Sequence, residues 1–124
     1  EDKQPLETGT VTFAPPDYHM LVEDRGTLAL SLDEPVLFSR PAIDPLFESA
    51  AAVFGEGVLA ILLTGASSDG SEGVAAVRQA GGLAWLQCPD DAEASMMPAS
   101  ALQRAGADAV LTLDEICECL KELR

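Results

Sequence analysis

Basic residues are scarce in this chain: 7 Lys and Arg stand against 21 Asp and Glu, for a formal net charge of −14. That balance excludes a surface built to neutralise phosphates, so nucleic acid is not an expected partner. It equally excludes adhesion to an anionic membrane surface, and its plain reading is solubility. Long hydrophobic runs are missing as well. Residues 58–63 form a continuous apolar run, far short of the ~20 apolar residues that cross a bilayer, so no membrane insertion is expected. No signal-peptide pattern opens the chain, and its first residue is Glu rather than Met, which reads as a piece cut from a longer polypeptide. Histidine occurs once, at His19, and cysteine three times, at Cys88, Cys117 and Cys119. Cys117 and Cys119 are two apart on an expected helix and so face different ways. With no C-x-x-C spacing and no histidine beside them, neither a metal site nor a cofactor is expected, and a reduced, cytoplasmic protein is the simplest reading. Aromatics make up only 5% of the residues against 48% hydrophobic, so the core should be aliphatic. A length of 124 residues suits one domain.

What is present is organised around residues 58–82. The run 58–63 has no polar face and is expected to be buried on both sides, as a central strand of a parallel sheet is. A loop of small and polar residues follows over 65–73, and a helix begins near Ser71. In parallel sheets chemistry collects at the carboxyl ends of the strands, and the loop there carries one acid, Asp69. An acid in that place either orients another catalytic group or caps the following helix; both readings stay open on the sequence.

The remaining elements fall around this stretch. Residues 1–8 read as a polar linker and 9–124 as the folded core. Residues 10–14 have the β-branched and aromatic character of a strand, ended by Pro15-Pro16-Asp17. Residues 19–23 and 27–32, joined by Asp24-Arg25-Gly26, read as a β-hairpin. Asp44 and Pro45 read as the N-cap and first position of a helix with Phe47, Ala50, Ala51 and Phe54 on its apolar stripe. Beyond the acid loop come a helix over 71–80, a strand over 83–87, an acidic loop, a helix from Pro98 to Ala105 and a strand over 109–111. A final helix opens with the capping box Thr112-x-x-Glu115. Such alternation predicts an α/β domain of three layers, with a mostly parallel sheet and an antiparallel hairpin near the N-terminus.

Several segments resemble one family in the right order. Gly-Thr-Val-Thr-Phe-Ala-Pro-Pro-Asp-Tyr-His over 9–19 resembles the "GTVYIAPPDxH" segment of the CheB-type protein-glutamate methylesterases of bacterial chemotaxis. Residues 40–51, from Arg40-Pro41 to Ala50-Ala51, resemble that family's "RPSVDxLFxSAA", and residues 62–70 resemble its "LTGMGxDG". Gln79-Ala80-Gly81-Gly82 and Met97-Pro98 fall where the family has "xAGG" and "GMP". The resemblance implies a hydrolase of two-component signalling that cleaves receptor glutamate methyl esters, and in some members deamidates glutamine, through a Ser-His-Asp triad. Only the acid carries over, to Asp69. The family's serine and histidine precede the equivalent of Glu1, so the chain resembles the last two-thirds of a catalytic domain and by itself is expected to be inactive. The methylated chemoreceptor is the implied substrate, and a receiver domain often stands upstream in the family.

The resemblance also implies an oxyanion contact from the Ala66 backbone and a substrate-orienting role for Arg40. Two departures touch the site: Ala66 stands where the family usually has Met, and Ser39 where it often has His before the Arg-Pro pair. The run over 91–98 is altered as well. Three further readings compete. Ser67 with His19 would form a self-contained nucleophile and base. The glycine-containing loop would cradle a phosphate, though it has no P-loop lysine and Asp69 would repel the anion. Finally, the chain would serve as a non-catalytic docking domain on an inherited fold.

Overall fold

The structure, a computed structural model, describes residues 3–36 and 40–123. It is of the α/β class. Strands β1 (Lys3–Pro5), β2 (His19–Asp24) and β3 (Thr27–Ser31) form an antiparallel sheet in the order β1-β3-β2. Helix α1 (Ile43–Phe54) and a short 3₁₀ turn (Gly55–Gly57) lead to β4 (Leu59–Leu62). Helix α2 (Ser71–Gln79), β5 (Leu83–Gln87), α3 (Met96–Ala105), β6 (Ala109–Leu111) and α4 (Leu113–Lys121) follow. Strands β4, β5 and β6 form a parallel sheet in that order.

Helix α1 joins the two sheets. Leu46, Ala50, Val53 and Phe54 pack on Met20, Val22 and Leu28 of the hairpin. Its other side meets the parallel unit, where Ala51 is buried with Ala60 of β4 and Val77 of α2. The largest buried cluster lies beyond, with Leu62, Val74, Ala84, Leu86 and Ala101 packed against Ile43, Phe47 and Met97. The core is aliphatic, as the composition implies.

The hairpin, the alternation of helix and strand, and the C-terminal capping box stand as read. Thr112 Oγ1 accepts the Glu115 N–H at 3.1 Å while Glu115 Oε1 accepts the Thr112 N–H at 2.8 Å. Replacing Thr112 with Ala should cost about 1 kcal/mol of stability, the usual worth of an N-cap, measurable as a lowered urea midpoint.

Four expectations differ. Lys3–Pro5, placed in a linker, is a strand paired with β3. Its side chains are all exposed, so no hydrophobic pattern marks it; backbone pairing with β3 and the Lys3–Glu23 ion pair place it. Residues 10–14 carry no strand pairing among the described residues, and Val11 and Phe13 lie 80% and 86% exposed. Strand β4 is not central: β5 is, and among the described residues no strand pairs with the outer edge of β4. Helix α1 starts one residue before Asp44, at Ile43, with Ala42 as a cap that supplies no side-chain bond. The carboxylate of Asp44 is engaged elsewhere, as described next.

Candidate functional site

The loop between β4 and α2 leaves the carboxyl end of the parallel sheet, where the apolar run stops at Leu63 and small polar residues begin. Its entry is held by neighbours. The Thr64 N–H donates to Gln87 Oε1 at 2.9 Å, and Gln87 Nε2 donates to Asp91 Oδ2 at 3.0 Å. The Gly65 N–H donates to the Ala94 carbonyl, and its own carbonyl accepts the Met97 N–H, each at 2.9 Å. Gly65 lies tight against Met97: a Cβ there would lie 2.6 Å from Met97 Cε, so the methionine side chain would have to shift. Ala66, next along, is exposed, and its N–H donates to no acceptor among the described residues. An amide fixed on one side by its neighbour's bonds and unspent on the other is what an oxyanion contact requires.

Asp69 is 5% exposed. Its Oδ2 accepts the Ile43 N–H at 2.7 Å and its Oδ1 accepts the Asp44 N–H at 3.0 Å. The acid therefore caps a helix, but α1 rather than the α2 that follows it; α2 opens at Gly70, which has no side chain of its own to cap with. Each oxygen keeps a lone pair beyond the bond it accepts, so a third donor can be received.

His19 is buried, at 1% exposure. Its Nδ1 accepts the Ala42 N–H at 3.2 Å, so its proton is on Nε2, which donates to the Glu34 carbonyl at 2.9 Å. Both ring nitrogens are spent on backbone, which makes His19 a structural tie and not a base for Ser67. Ser67 Oγ in turn accepts the Asp69 N–H at 3.2 Å, shaping the loop. The N–H groups of Ala42, Ile43 and Asp44 are thus taken in succession by His19 and Asp69.

Arg40 sits before the cis Arg40–Pro41 bond, with Nη1 donating to the carbonyls of Leu32 at 2.9 Å and Asp33 at 3.2 Å. Ser39 lies outside the described residues. Beside the acid loop is a cleft of about 520 Å³ whose walls include Ser68, Ser71, Glu72 and Arg104. Among the described residues no group of three or more His, Cys, Asp and Glu side chains is placed to hold a metal, and no helix is long and apolar enough to cross a membrane. Two contributors were not marked by the sequence. Gln87 read only as the end of a strand, yet it is buried and braces Thr64; a buried amide at a strand end is its signal. Asp44 read as an N-cap, yet its carboxylate points across to α2.

The acids titrate in opposite directions. Burial, with the nearby Asp69 charge, pushes the Asp44 carboxyl above its ordinary value against the N–H bonds from Gly73 and Gly70. Burial also pushes Glu48 up, helped by Asp44 and Glu72. Bonding to the Gln87 side chain and the Leu113 N–H holds Asp91 down, and the Ala84 N–H holds Asp108 down. A raised acid takes up its proton sooner in the folded state, so it adds stability on acidification and loses it as pH rises through the folded value. A lowered acid does the reverse below the ordinary range. Stability should therefore be greatest near the ordinary carboxylate range, about pH 4, and decline as pH rises above it, helped by the acid excess. A melting series in pH checks this, and Asp44→Asn should flatten the neutral-side decline.

Comparison with known proteins gives one consistent answer. Residues 1–120 match the family model described as CheB methylesterase. The chain is 44% identical over 118 residues to a putative protein-glutamate methylesterase/protein-glutamine glutaminase of Leptospira interrogans, covering 95% of this chain and 61% of that protein. It is 42% identical over 119 residues to a protein-glutamate methylesterase/protein-glutamine glutaminase of Rhodospirillum rubrum, covering 94% of this chain and 31% of that protein. Its structure superposes on the crystal structure of the Thermotoga maritima CheB methylesterase catalytic domain with a TM-score of 0.91 at 29% identity, over 100% of this chain and 67% of that one. The chain thus spans about three-fifths or less of the length of these two relatives.

Proposed function

The chain belongs to the CheB methylesterase family, and from that premise we propose that it supplies the acid-bearing part of a protein-glutamate methylesterase whose serine and histidine lie in a segment preceding it. The substrate is the methyl ester of a chemoreceptor glutamate, with glutamine side chains as a second substrate. Asp69 receives the imidazole N–H of the histidine, keeps its other nitrogen free to take the serine proton, and stabilises the imidazolium that forms. The Ala66 N–H faces the oxygen that gains charge as the serine adds to the ester carbonyl. Arg40, its position set by the Leu32 and Asp33 carbonyls, offers the rest of its guanidinium to an acidic receptor segment. Ser39 takes the place beside it where the family often has a histidine, and removes a polar contact to substrate. No cofactor or metal is required. The reaction belongs to the cytoplasm, and a receiver domain upstream is its natural regulator.

The observation that carries this reading is the setting of Asp69: a buried carboxylate, held by two successive helix N–H groups, with lone pairs remaining for one more donor. A serine-directed fluorophosphonate tests it. This chain alone should take up no label, because Ser67 has no base; labelling at Ser67 would replace the split triad with a self-contained one. The outer edge of β4 and the exposed Val11 and Phe13 also favour a second reading, a docking domain without catalysis. If those surfaces await a missing segment, the isolated chain should self-associate or melt with little cooperativity. A monodisperse, cooperatively melting monomer in sedimentation and calorimetry would count against it.

A further inference from the structure

Asp44 and Asp69 cap each other's helices crosswise. Asp69, at the entry to α2, accepts the first N–H groups of α1, those of Ile43 and Asp44. Asp44, in the first turn of α1, returns the arrangement: its Oδ1 accepts the Gly70 N–H at 3.0 Å and the Gly73 N–H at 2.7 Å. Two carboxylates are brought together, and Asp44 carries a raised proton affinity, set first by its burial and added to by the Asp69 charge. The closeness is built in by two glycines. Gly70 has φ +102°, a backbone that side-chain-bearing residues rarely adopt, and a Cβ there would lie 2.8 Å from Leu62 Cδ1. At Gly73 a Cβ would lie 2.6 Å from Phe47 Cβ and 3.2 Å from Asp44 Oδ1. The clasp fixes the loop on both sides of Asp69: the carboxylate is held by α1, and the backbone next to it, at Gly70, is held by Asp44.

We propose that Asp44 is a positioning residue for Asp69, holding the acid's loop through the Gly70 and Gly73 N–H groups so that the Asp69 carboxylate meets the histidine at a fixed distance and angle. This rests on the reading of Asp69 as the triad acid. What the clasp needs from Asp44 is a single acceptor oxygen and not its charge. An asparagine placed there retains that oxygen, while an alanine leaves two N–H groups without their acceptor.

The test has two parts. In this chain, amide exchange at Gly70 and Gly73 should speed up by at least about tenfold in Asp44→Ala and return close to its original rate in Asp44→Asn. In the whole methylesterase, with serine and histidine present, Asp44→Ala should lower kcat for methyl-ester hydrolysis by up to about 10²-fold with KM little changed, as a misplaced catalytic group does. Asp44→Asn should recover most of that loss. A merely structural role would lower the yield of folded enzyme and leave kcat per folded molecule alone, which would overturn the proposal. Equal loss in the Asn and Ala variants would overturn it too, since charge rather than the acceptor would then matter. If Asp69→Asn leaves hydrolysis intact, the triad reading fails and the positioning role with it. Faster exchange in Asp44→Ala would then show that the clasp exists without a catalytic acid to serve.

Discussion

Exchanging Asp69 for Asn in the whole enzyme should cut kcat for methyl-ester hydrolysis by about 10⁴-fold, the loss seen when the acid of a serine-protease triad is neutralised. The chemical reason is the tautomer: an amide nitrogen at that place would donate to the histidine instead of accepting from it, and no negative charge would balance the imidazolium. The structure adds a second consequence. Both Asp69 oxygens accept from α1, from Ile43 and Asp44. An asparagine has one acceptor oxygen, so its NH₂ would face one of those N–H groups, donor against donor. Leaving that buried donor unpaired should cost about 1–3 kcal/mol. The variant is thus expected to melt lower and still be folded at the assay temperature, which circular dichroism checks alongside methanol release. A variant with the wild-type rate would remove Asp69 from the mechanism. A variant that is inactive only because it is unfolded would leave a cap without a catalytic role.

The second large effect is expected beneath the same loop. Leu62 ends β4 at 2% exposure, in the cluster with Val74, Ala84 and Leu86. Its side chain lies directly under Gly70, as the 2.8 Å approach to a Cβ position there shows. Leu62→Ala should cost about 2–5 kcal/mol through lost burial and the cavity left behind. That is a large share of the roughly 5–15 kcal/mol that holds a domain together. Because the cavity opens against Gly70, the floor of the acid loop loosens as well. Leu86→Ala in β5, also fully buried, should cost a similar amount without reaching that loop. Urea titrations of the two variants give the stabilities. Faster amide exchange at Gly70 in the Leu62 variant alone distinguishes the loop effect.

Much of this was legible in the residues because it obeys local rules. The hairpin at Asp24-Arg25-Gly26, the capping box at Thr112 and Glu115, and the strand–loop–helix around Asp69 are each set by neighbours a few positions apart. The rest depends on contacts far along the chain. Asp44 looks like an N-cap by its place before Pro45, yet its carboxylate serves residues 26 and 29 positions away. Asp69 was expected either to cap α2 or to orient a catalytic group; it caps α1, which no local pattern encodes. Strand β1 has no buried side chain, so periodicity was silent about it. Residues 10–14 and the run 58–63 carry strand chemistry on both faces, and both predicted more pairing than the described residues provide. His19, the sole histidine, reads from the sequence as a candidate base for Ser67, yet both its nitrogens bond to backbone.

The split site is tested most directly by methanol release from a methylated chemoreceptor. The chain is assayed alone, and then together with the part of the Leptospira interrogans relative that it does not span. No methanol from the chain alone, release on mixing, and loss of that release with Asp69→Asn are the expected results. Methanol released by the chain alone would contradict the proposal that its serine and histidine come from elsewhere.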